Sequence, residues 1–380
     1  MLYPLSLYIH IPWCVRKCPY CDFNSHAVSD LLPEMRYIDA LLADFAQDLQ
    51  HFQPRQAIRS IFFGGGTPSL LQAENYARLL EEIRRLHPIA PDVEITLEAN
   101  PGTVDCEKFA AYRALGINRL SIGAQSFQDR LLQHIGRIHR AADTLHAFER
   151  AREAGFGNIN LDLMYGLPDC TLTEAEEDVR CALALAPEHL SYYQLTLEPH
   201  TFFHRHPPPL PDEEQIDAMQ RTGRALLAAH GYRRYEISAY SLPGLQCRHN
   251  VNYWQFGDYL GIGAGAHGKI SVEQPERIIR YWKRKHPDDY LSHAATAQRF
   301  GGLTTILPQE LPLEFLMNQL RLREGFTLAT YQARTGLAPE TLSPALERCM
   351  KRGWLIADGE RIHCTEQGWE FLDSVLQVFL

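Results

Sequence analysis

The sequence lacks the long apolar runs, the basic excess and the leader pattern that would point to a membrane or to nucleic acid. Its longest apolar stretches, IFFGGG and YLGIGAGA, fall far short of the roughly 20 residues that span a bilayer. The start, MLYPLSLYIH, has no basic segment followed by an apolar stretch and a cleavage site, which argues against a signal peptide. The net charge of −9 argues against general nucleic-acid binding, because phosphate contacts need a basic face. We therefore expect a soluble cytoplasmic protein with no nucleic-acid partner.

One segment departs from this acidic balance. The stretch RIIRYWKRKH, residues 277–286, is rich in Lys and Arg. We interpret it first as a solvated surface segment, and second as a docking patch for an anionic partner.

Cysteines are few, nine among 380 residues, and three of them stand close together. In a reducing compartment, thiols and metal ligands are favoured over disulfides. Cys14, Cys18 and Cys21 lie within HIPWCVRKCPYCDFNSH. Three thiolates on one loop can hold a [4Fe–4S] cluster and leave one iron open for a ligand that is not protein. The alternative is a zinc ion held by the three cysteines and His10 or His26.

Strand-like and helix-like segments alternate over about the first 200 residues. Six strands are predicted, LSLYIHI, AIRSIFF, VEITLEAN, RLSIGAQ, NINLDLMYGLP and HLSYYQLTLEP. Such alternation predicts an α/β fold with a parallel sheet. Polar or glycine residues stand at or just beyond the strand ends, namely Cys14, Gly65, Glu98, Gln125, Asp162 and Thr196. Because one face supplied by every strand is the barrel arrangement, we predict a partial (β/α) barrel rather than a Rossmann-type sheet.

We divide the chain into residues 1–235 as the barrel, 236–290 as a linking segment that carries HNVNYW, and 291–380 as a C-terminal domain. The last part combines two amphipathic helices, EFLMNQLRLREGF and LSPALERCMKRGW, with a hairpin, WLIADGERIHCT, closed by Asp358-Gly359. Helices followed by a hairpin predict a mostly helical, winged-helix-like domain. Because this part has little basic excess, a structural or partner-docking role is favoured over DNA binding.

A series of motifs resembles the radical S-adenosylmethionine (radical SAM) superfamily. The segments LYIHIPWC, GGGTPS, EANPGT, IGAQSF, GRIH and NLDLMYGLP follow, in order, the motifs of the oxygen-independent coproporphyrinogen III oxidase family, and the resemblance covers almost the whole chain. It implies a partial (β/α)6 radical SAM barrel with a [4Fe–4S] cluster on Cys14, Cys18 and Cys21. S-adenosylmethionine (SAM) would bind the open iron and be cleaved to a 5′-deoxyadenosyl radical. The SAM-site residues implied are Tyr8, Tyr20, Gly65, Gly66, Thr67, Glu98, Gln125, Arg137 and Asp162.

These residue types suit the roles that the resemblance gives them. Glycines without Cβ let the backbone approach the methionine amino group. Glu98 and Asp162 can accept hydrogen bonds from ribose hydroxyls or from the amino group, and Gln125 can donate or accept. Arg137 can pair with the SAM carboxylate.

The chain departs from the oxidase pattern at two places. Phe23 stands where the oxidase has a further cysteine, and SYYQLTLEPHT differs from the oxidase sequence at its second SAM position. Together with HNVNYW at residues 249–254, these departures resemble the heme chaperone branch of the family. That branch binds heme and passes it to acceptor hemoproteins.

For the heme, the resemblance implies His249 as the axial ligand, since histidine is a common proximal ligand, with Cys247 as second choice. Tyr253 and Trp254 would cover the porphyrin. Arg248 and Lys269, by their charge, would neutralise the propionates.

The first hypothesis is therefore a heme chaperone that carries a radical SAM cluster, with heme and acceptor hemoproteins as partners. The alternative is a radical SAM oxidoreductase acting on a tetrapyrrole or another small substrate, so enzymatic turnover stays open. A DNA-binding regulator is a distant third. A homodimer and peripheral contact with a membrane are further partnerships that the resemblance allows.

Overall fold

In a computed structural model, which describes residues 4–28, 31–103, 106–273 and 276–380, the strands alternate with helices along the first half of the chain. The strands are β1 Leu5–Ile11, β2 Trp13–Cys14, β3 His26–Ala27, β4 Ile58–Gly65, β5 Ile89–Ala99, β6 Arg119–Gln125, β7 Ile159–Tyr165, β8 His189–Gln194, β9 Arg233–Arg234, β10 Ala239–Ser241, β11 Asp258–Ile262, β12 His267–Glu273, β13 Glu276–Lys283, β14 Phe300–Thr305, β15 Phe326–Thr327, β16 Leu355–Asp358 and β17 Arg361–Cys364. The helices are α1 Glu34–Phe52, α2 Ala73–Leu86, α3 Cys106–Ala114, α4 Asp129–His134, α5 Ala141–Glu153, α6 Leu172–Ala184, α7 Phe202–Arg205, α8 Glu213–Ala229, α9 Arg248–Trp254, α10 Pro287–His293, α11 Leu311–Gln319, α12 Leu328–Thr335, α13 Ser343–Lys351, α14 Glu366–Glu370 and α15 Leu372–Leu376.

The six predicted strands are confirmed as neighbours in one sheet, in the order β1-β4-β5-β6-β7-β8, and all of them are parallel. Their outward side chains are apolar and lie under the helices; Leu7, Phe63 and Leu161, for example, are fully buried. Some helices begin at sequence-encoded caps, as where the Thr171 side chain accepts from the backbone of Glu174. The parallel sheet with its helices is the predicted α/β barrel scaffold.

The segment predicted as a linker, 236–290, is instead built into the same sheet. Strand β11 pairs with β1 in parallel, and β12, β13 and β14 extend this edge in antiparallel fashion. At the other edge β10 and β9 follow β8. Among the described residues, the large sheet therefore has twelve strands.

The basic stretch forms β13 and the turn after it, and most of its charge is neutralised within the protein. The Lys283 ammonium is fully buried and pairs with Asp44 and Asp48 of α1. Arg280 pairs with Glu314, and Arg284 pairs with Asp289. The interpretation as a solvated segment is therefore wrong for Lys283, and a docking patch would lack these three charges.

The C-terminal domain has its own core and the predicted winged-helix-like order. Helices α11, α12 and α13 precede the hairpin β16–β17, to which β15 adds a third strand. Its apolar cluster includes Ile306, Phe315 and Tyr331 together with Phe256 and Ile278 from before residue 291, whereas Phe300–Thr305 still belong to the large sheet. Across the described residues, no helix combines the length and apolar character required to cross a membrane.

Candidate functional site

A cavity of about 380 Å³ opens at the carboxyl ends of the parallel strands. Every residue predicted for the cluster and the SAM site lines it except Tyr8: Cys14, Cys18, Tyr20, Cys21, Gly65, Gly66, Thr67, Glu98, Gln125, Arg137 and Asp162. The sheet brings them together because parallel strands end at one edge of a barrel.

The cysteine loop follows β1 and is held against the glycine-rich turn at the end of β4. The backbone N–H of Gly66 donates to the Ile11 carbonyl, and that of Thr67 donates to the Trp13 carbonyl, each at 2.7 Å. The three cysteines are half-buried, and burial raises the pKa of the Cys14 and Cys21 thiols. The loop therefore presents three sheltered thiols to the same cavity.

The arrangement of the cysteines bears on the choice between a cluster and zinc. In the part of the chain that the structure describes, no three His, Cys, Asp or Glu side chains converge closely enough to hold one metal ion. A zinc site needs all its ligands on one ion, whereas thiolates of an iron–sulfur cluster bind different irons. His10, one candidate zinc ligand, has both ring nitrogens engaged, by the Tyr8 hydroxyl at 2.9 Å and the Asn24 carbonyl at 2.8 Å. The donor set fits a cluster better than zinc.

In the glycine-rich turn at the end of β4, the glycines have no side chain of their own to cover the backbone beside the cysteines, so a ligand can approach the backbone closely. Gly65 has φ +115°, and a Cβ at this position would lie 2.5 Å from the His10 ring. A Cβ on Gly66 would lie 2.5 Å from the Trp13 carbonyl oxygen. Both positions therefore require glycine, which agrees with a backbone that receives a ligand directly.

Two carboxyl groups face the cavity from β5 and β7. Burial and the neighbouring Asp162 raise the pKa of Glu98 to about 8, and burial raises the pKa of Asp162. Glu98 accepts from the backbone N–H of Gly65 at 3.1 Å, and Asp162 accepts from Ser121 and from Asn160. A ligand that brings donors or positive charge would satisfy both groups.

On the side of Cys18, the cavity wall carries a cation and an amide. Arg137 donates to the Gly123 carbonyl at 2.8 Å and lies 3.8 Å from the Cys18 sulfur. Gln125 accepts from the Tyr193 hydroxyl at 2.8 Å. Arg137 is thus placed to pair with a carboxylate beside the cysteines.

Deeper side chains of the cavity were not predicted from the sequence. They line the barrel interior on the last three parallel strands: Arg119, Ser121, Asn160, His189, Ser191 and Tyr193. Their signal is the alternation of polar and apolar residues within RLSIGAQ, INLD and HLSYY, which places every second side chain on the inner face.

Tyr8 supports the site without lining the cavity. Its hydroxyl contacts His10, and its ring centroid lies 6.3 Å from those of Phe62 and His249. It therefore connects the cysteine loop with the barrel interior.

His249 lies at the opposite, amino-terminal end of the barrel. It is on α9, which closes this end, where Glu94 accepts from the backbone N–H groups of Arg248 and His249. The residue is 7% exposed, and its imidazole contacts the Ser60 hydroxyl at 3.1 Å and packs on Phe62. Burial lowers its pKa to about 3, so the ring is neutral at physiological pH.

The other residues expected around heme face different surroundings. Tyr253 packs against Tyr259, and Trp254 lies under the guanidinium of Arg321 at 4.4 Å. The Lys269 ammonium is buried and pairs with Asp258 at 3.0 Å, contrary to its interpretation as a propionate partner.

Comparison with known proteins identifies the family of the chain. A family model described as the radical SAM superfamily matches residues 8–182, and one described as the HemN C-terminal domain matches residues 306–371. A protein of Haemophilus influenzae named heme chaperone HemW is 46% identical to this chain, and the alignment covers 99% of this chain and 98% of that protein. The protein of that name from Escherichia coli is 46% identical, and the alignment covers 99% of this chain and 98% of that protein. The one from Bacillus subtilis is 36% identical, and the alignment covers 99% of both chains.

The fold also has a solved counterpart. The radical SAM coproporphyrinogen III oxidase (HemN) of Escherichia coli superposes with a TM-score of 0.83 at 22% identity, covering 100% of this chain and 90% of that chain. At this identity the match shows the fold alone. The identities to the relatives are high over the full length, and the chain therefore belongs to the radical SAM superfamily and, within it, to the family of the proteins named heme chaperone HemW.

Proposed function

We propose that this chain is a heme chaperone: it binds heme and delivers it to acceptor hemoproteins of the respiratory type, and it carries a radical SAM [4Fe–4S] cluster. The observation that carries the proposal is its full-length similarity, at 46% identity, to relatives named heme chaperone. The cavity adds a donor set of the kind that a radical SAM cofactor needs.

In this proposal Cys14, Cys18 and Cys21 hold the cluster. The SAM site consists of Tyr8, Tyr20, Gly65, Gly66, Thr67, Glu98, Gln125, Arg137 and Asp162. The bound cluster would supply one electron for cleavage of the SAM sulfonium. The chain's own residues would orient SAM: the open glycine backbone and the two carboxyls would hold its amino and ribose groups, and Arg137 would pair with its carboxylate.

His249 remains the proposed axial ligand of the heme iron, and Cys247 the second choice. The neutral imidazole is the form that binds iron. Since the ring is buried against Ser60 and Phe62, ligation requires α9 to release it. Cys247 is also buried, 3.6 Å from a Glu94 oxygen.

The test compares heme transfer by the full chain, His249→Ala and Cys247→Ala, each loaded with ferric heme and mixed with a heme-free acceptor. We expect His249→Ala to shift the Soret band and to impair transfer, while iron and sulfide content of the cluster stays normal. If only Cys247→Ala impairs transfer, the ligand is the cysteine. If the parent chain neither binds nor transfers heme, the chaperone proposal is wrong.

The fold of the oxidase favours one second candidate, a radical SAM oxidoreductase acting on a tetrapyrrole. Phe23, where the oxidase has a further cysteine, argues against it. We expect no coproporphyrinogen decarboxylation above background when the reconstituted protein is supplied with SAM and a reductant. Robust protoporphyrinogen formation would establish the oxidase activity instead.

The proposal places the protein in the cytoplasm. It also extends to two partners, a second copy in a homodimer and a membrane surface contacted peripherally. Light scattering after size-exclusion chromatography tests the first, and co-sedimentation with anionic vesicles tests the second.

A further inference from the structure

Three large apolar side chains stand exposed around the mouth of the cavity. Val15, Phe23 and Ile138 are 49%, 58% and 43% exposed, and all three line the cavity. We name them the apolar collar. Large apolar side chains that share the rim of a functional cavity mark a binding surface more often than singly scattered ones do.

The collar combines apolar surface with positive charge. Arg16 and Lys17 follow Val15 directly and are exposed, Arg16 lines the cavity, and the Lys17 ammonium donates to the Phe23 carbonyl at 3.0 Å. Asp22 and Glu198 are the acidic residues at the same rim. A ligand that suits this surface has a broad apolar face, with anionic groups that reach the Arg16–Lys17 side.

We propose that the apolar collar is the surface on which heme is captured, with its ring across the cavity mouth and its two propionates toward Arg16 and Lys17. This inference rests on the proposed heme-chaperone function and adds a place for the first contact. The porphyrin face would cover exposed apolar side chains, which favours binding through the hydrophobic effect. The attraction between the propionates and the cations of Arg16 and Lys17 adds a small contribution, because the rim is exposed to solvent.

The collar and His249 lie at opposite ends of the barrel, so they serve different steps. Capture at the mouth involves no axial ligand from α9, whereas ligation by His249 follows only after rearrangement. Loss of the collar therefore weakens heme affinity, and loss of His249 alters the spectrum of the bound heme.

Capture at this position also has a consequence for the cofactor site. A ring across the mouth stands between solvent and the SAM residues inside the cavity. Heme bound beforehand therefore slows the association of SAM, and SAM bound beforehand leaves slowly once heme is added.

The experiment uses the full chain with a reconstituted cluster, titrated with ferric heme. Ile138→Ser is the main variant because it lies outside the cysteine loop, and Phe23→Ser is the second. Ile356→Ser, at a position 48% exposed on β16 of the C-terminal domain, is the matched control. We expect each collar variant to bind heme about tenfold more weakly, in line with the loss of one buried apolar side chain, and the control to bind like the parent.

Charge is tested in the same way with Lys17→Glu against Lys351→Glu, an exposed position on α13. We expect only the first to weaken heme binding, and more strongly at low salt. SAM association is then measured with and without prebound heme in the parent and in Ile138→Ser.

The outcomes separate the two proposals. If the parent binds heme and Ile138→Ser binds it equally tightly with unchanged SAM kinetics, the collar is not the capture surface, while the chaperone proposal stands. If the parent binds no heme, both proposals are wrong. If Ile138→Ser loses affinity and the effect of heme on SAM association, while its iron and sulfide content is normal, the collar is supported.

Discussion

The cysteines of the chain differ in where their thiols point. Cys14, Cys18 and Cys21 line one cavity, whereas Cys181 lies exposed on α6. We expect Ala at any one of the three to abolish a cluster of about four irons per chain, because the three thiolates are all of its proposed protein ligands. The measurement is iron and sulfide content and visible absorption after anaerobic reconstitution.

Cys181→Ala is the control and should keep the full cluster. Stoichiometric zinc in freshly purified protein, with no uptake of iron and sulfide, would contradict the cluster assignment.

We expect Glu98 to give the proposed cofactor site a pH dependence. Burial and Asp162 raise the pKa of its carboxyl to about 8, so it is largely protonated at pH 7 when the cavity holds no ligand. The positive sulfonium of SAM favours the ionised carboxylate, and binding then releases a proton. Affinity for SAM should therefore rise with pH, by at most about tenfold per unit, and level off above pH 8.

The measurement is SAM affinity between pH 6 and 9 by calorimetry, in the parent and in Glu98→Gln. The ionisable groups of SAM contribute equally to the two pH profiles. The difference between the profiles of the parent and Glu98→Gln therefore reports the titration of Glu98. Identical pH profiles would show that this carboxyl does not couple to SAM.

At the scale of elements, the turn that ends β4 depends on a backbone without Cβ. Gly65 and Gly155 both have positive φ, +115° and +86°, but a Cβ meets the His10 ring only at Gly65 and open space at Gly155. We expect Gly155→Ala to cost about 1 kcal/mol of unfolding free energy, from backbone conformation alone. Gly65→Ala should cost more and also abolish SAM binding.

Urea unfolding of the cluster-free chain and SAM titration measure these two effects. Equal losses for the two variants would mean that the close approach to His10 has no energetic weight.

Strand β11 shows where local sequence patterns are insufficient to predict secondary structure. The glycines of YLGIGAGA indicate a loop, yet Asp258–Ile262 form a strand that is buried throughout and parallel to β1. A strand covered on both faces has no polar alternation to reveal it. Gly261 is required there, since a Cβ would lie 1.9 Å from the His267 carbonyl oxygen.

At the scale of the whole molecule, a buried ion cluster joins the barrel to its sheet extension. Lys283 of β13 is fully buried between Asp44 and Asp48 of α1, and Arg299 lies 3.0 Å from an Asp48 oxygen. Lys283→Met leaves two carboxylates with one cation, and breaking such a buried set costs about 3–5 kcal/mol. The measurement is the unfolding free energy from urea titration of the cluster-free chain.

Arg221→Met removes a surface pair with Asp217 and is the control, with an expected loss of about 0–1 kcal/mol. A loss of the same size in both variants would show that the buried cluster does not hold the extension to the barrel.

Local patterns in the sequence are sufficient for the parallel strands and the cysteine loop, whereas the proposed SAM-site residues follow from the family resemblance. Strand alternation, short motifs and a three-cysteine spacing depend on neighbours within a few residues, and the carboxyl ends of parallel strands must meet at one edge. For this reason the amino-acid sequence alone predicts that the cysteines, Glu98, Gln125 and Asp162 share one site.

Contacts between residues far apart in the chain are decided only by the tertiary structure. Lys283 is buried against α1, which lies more than two hundred positions earlier in the chain. Nothing in the basic stretch itself therefore indicates that this lysine is buried. His249 in the same way packs on Ser60 and Phe62. The exposure of Val15, Phe23 and Ile138 around one mouth depends on how two separate loops meet. Motifs determine which side chains are available, but burial and exposure follow from packing between distant segments, which no local pattern encodes.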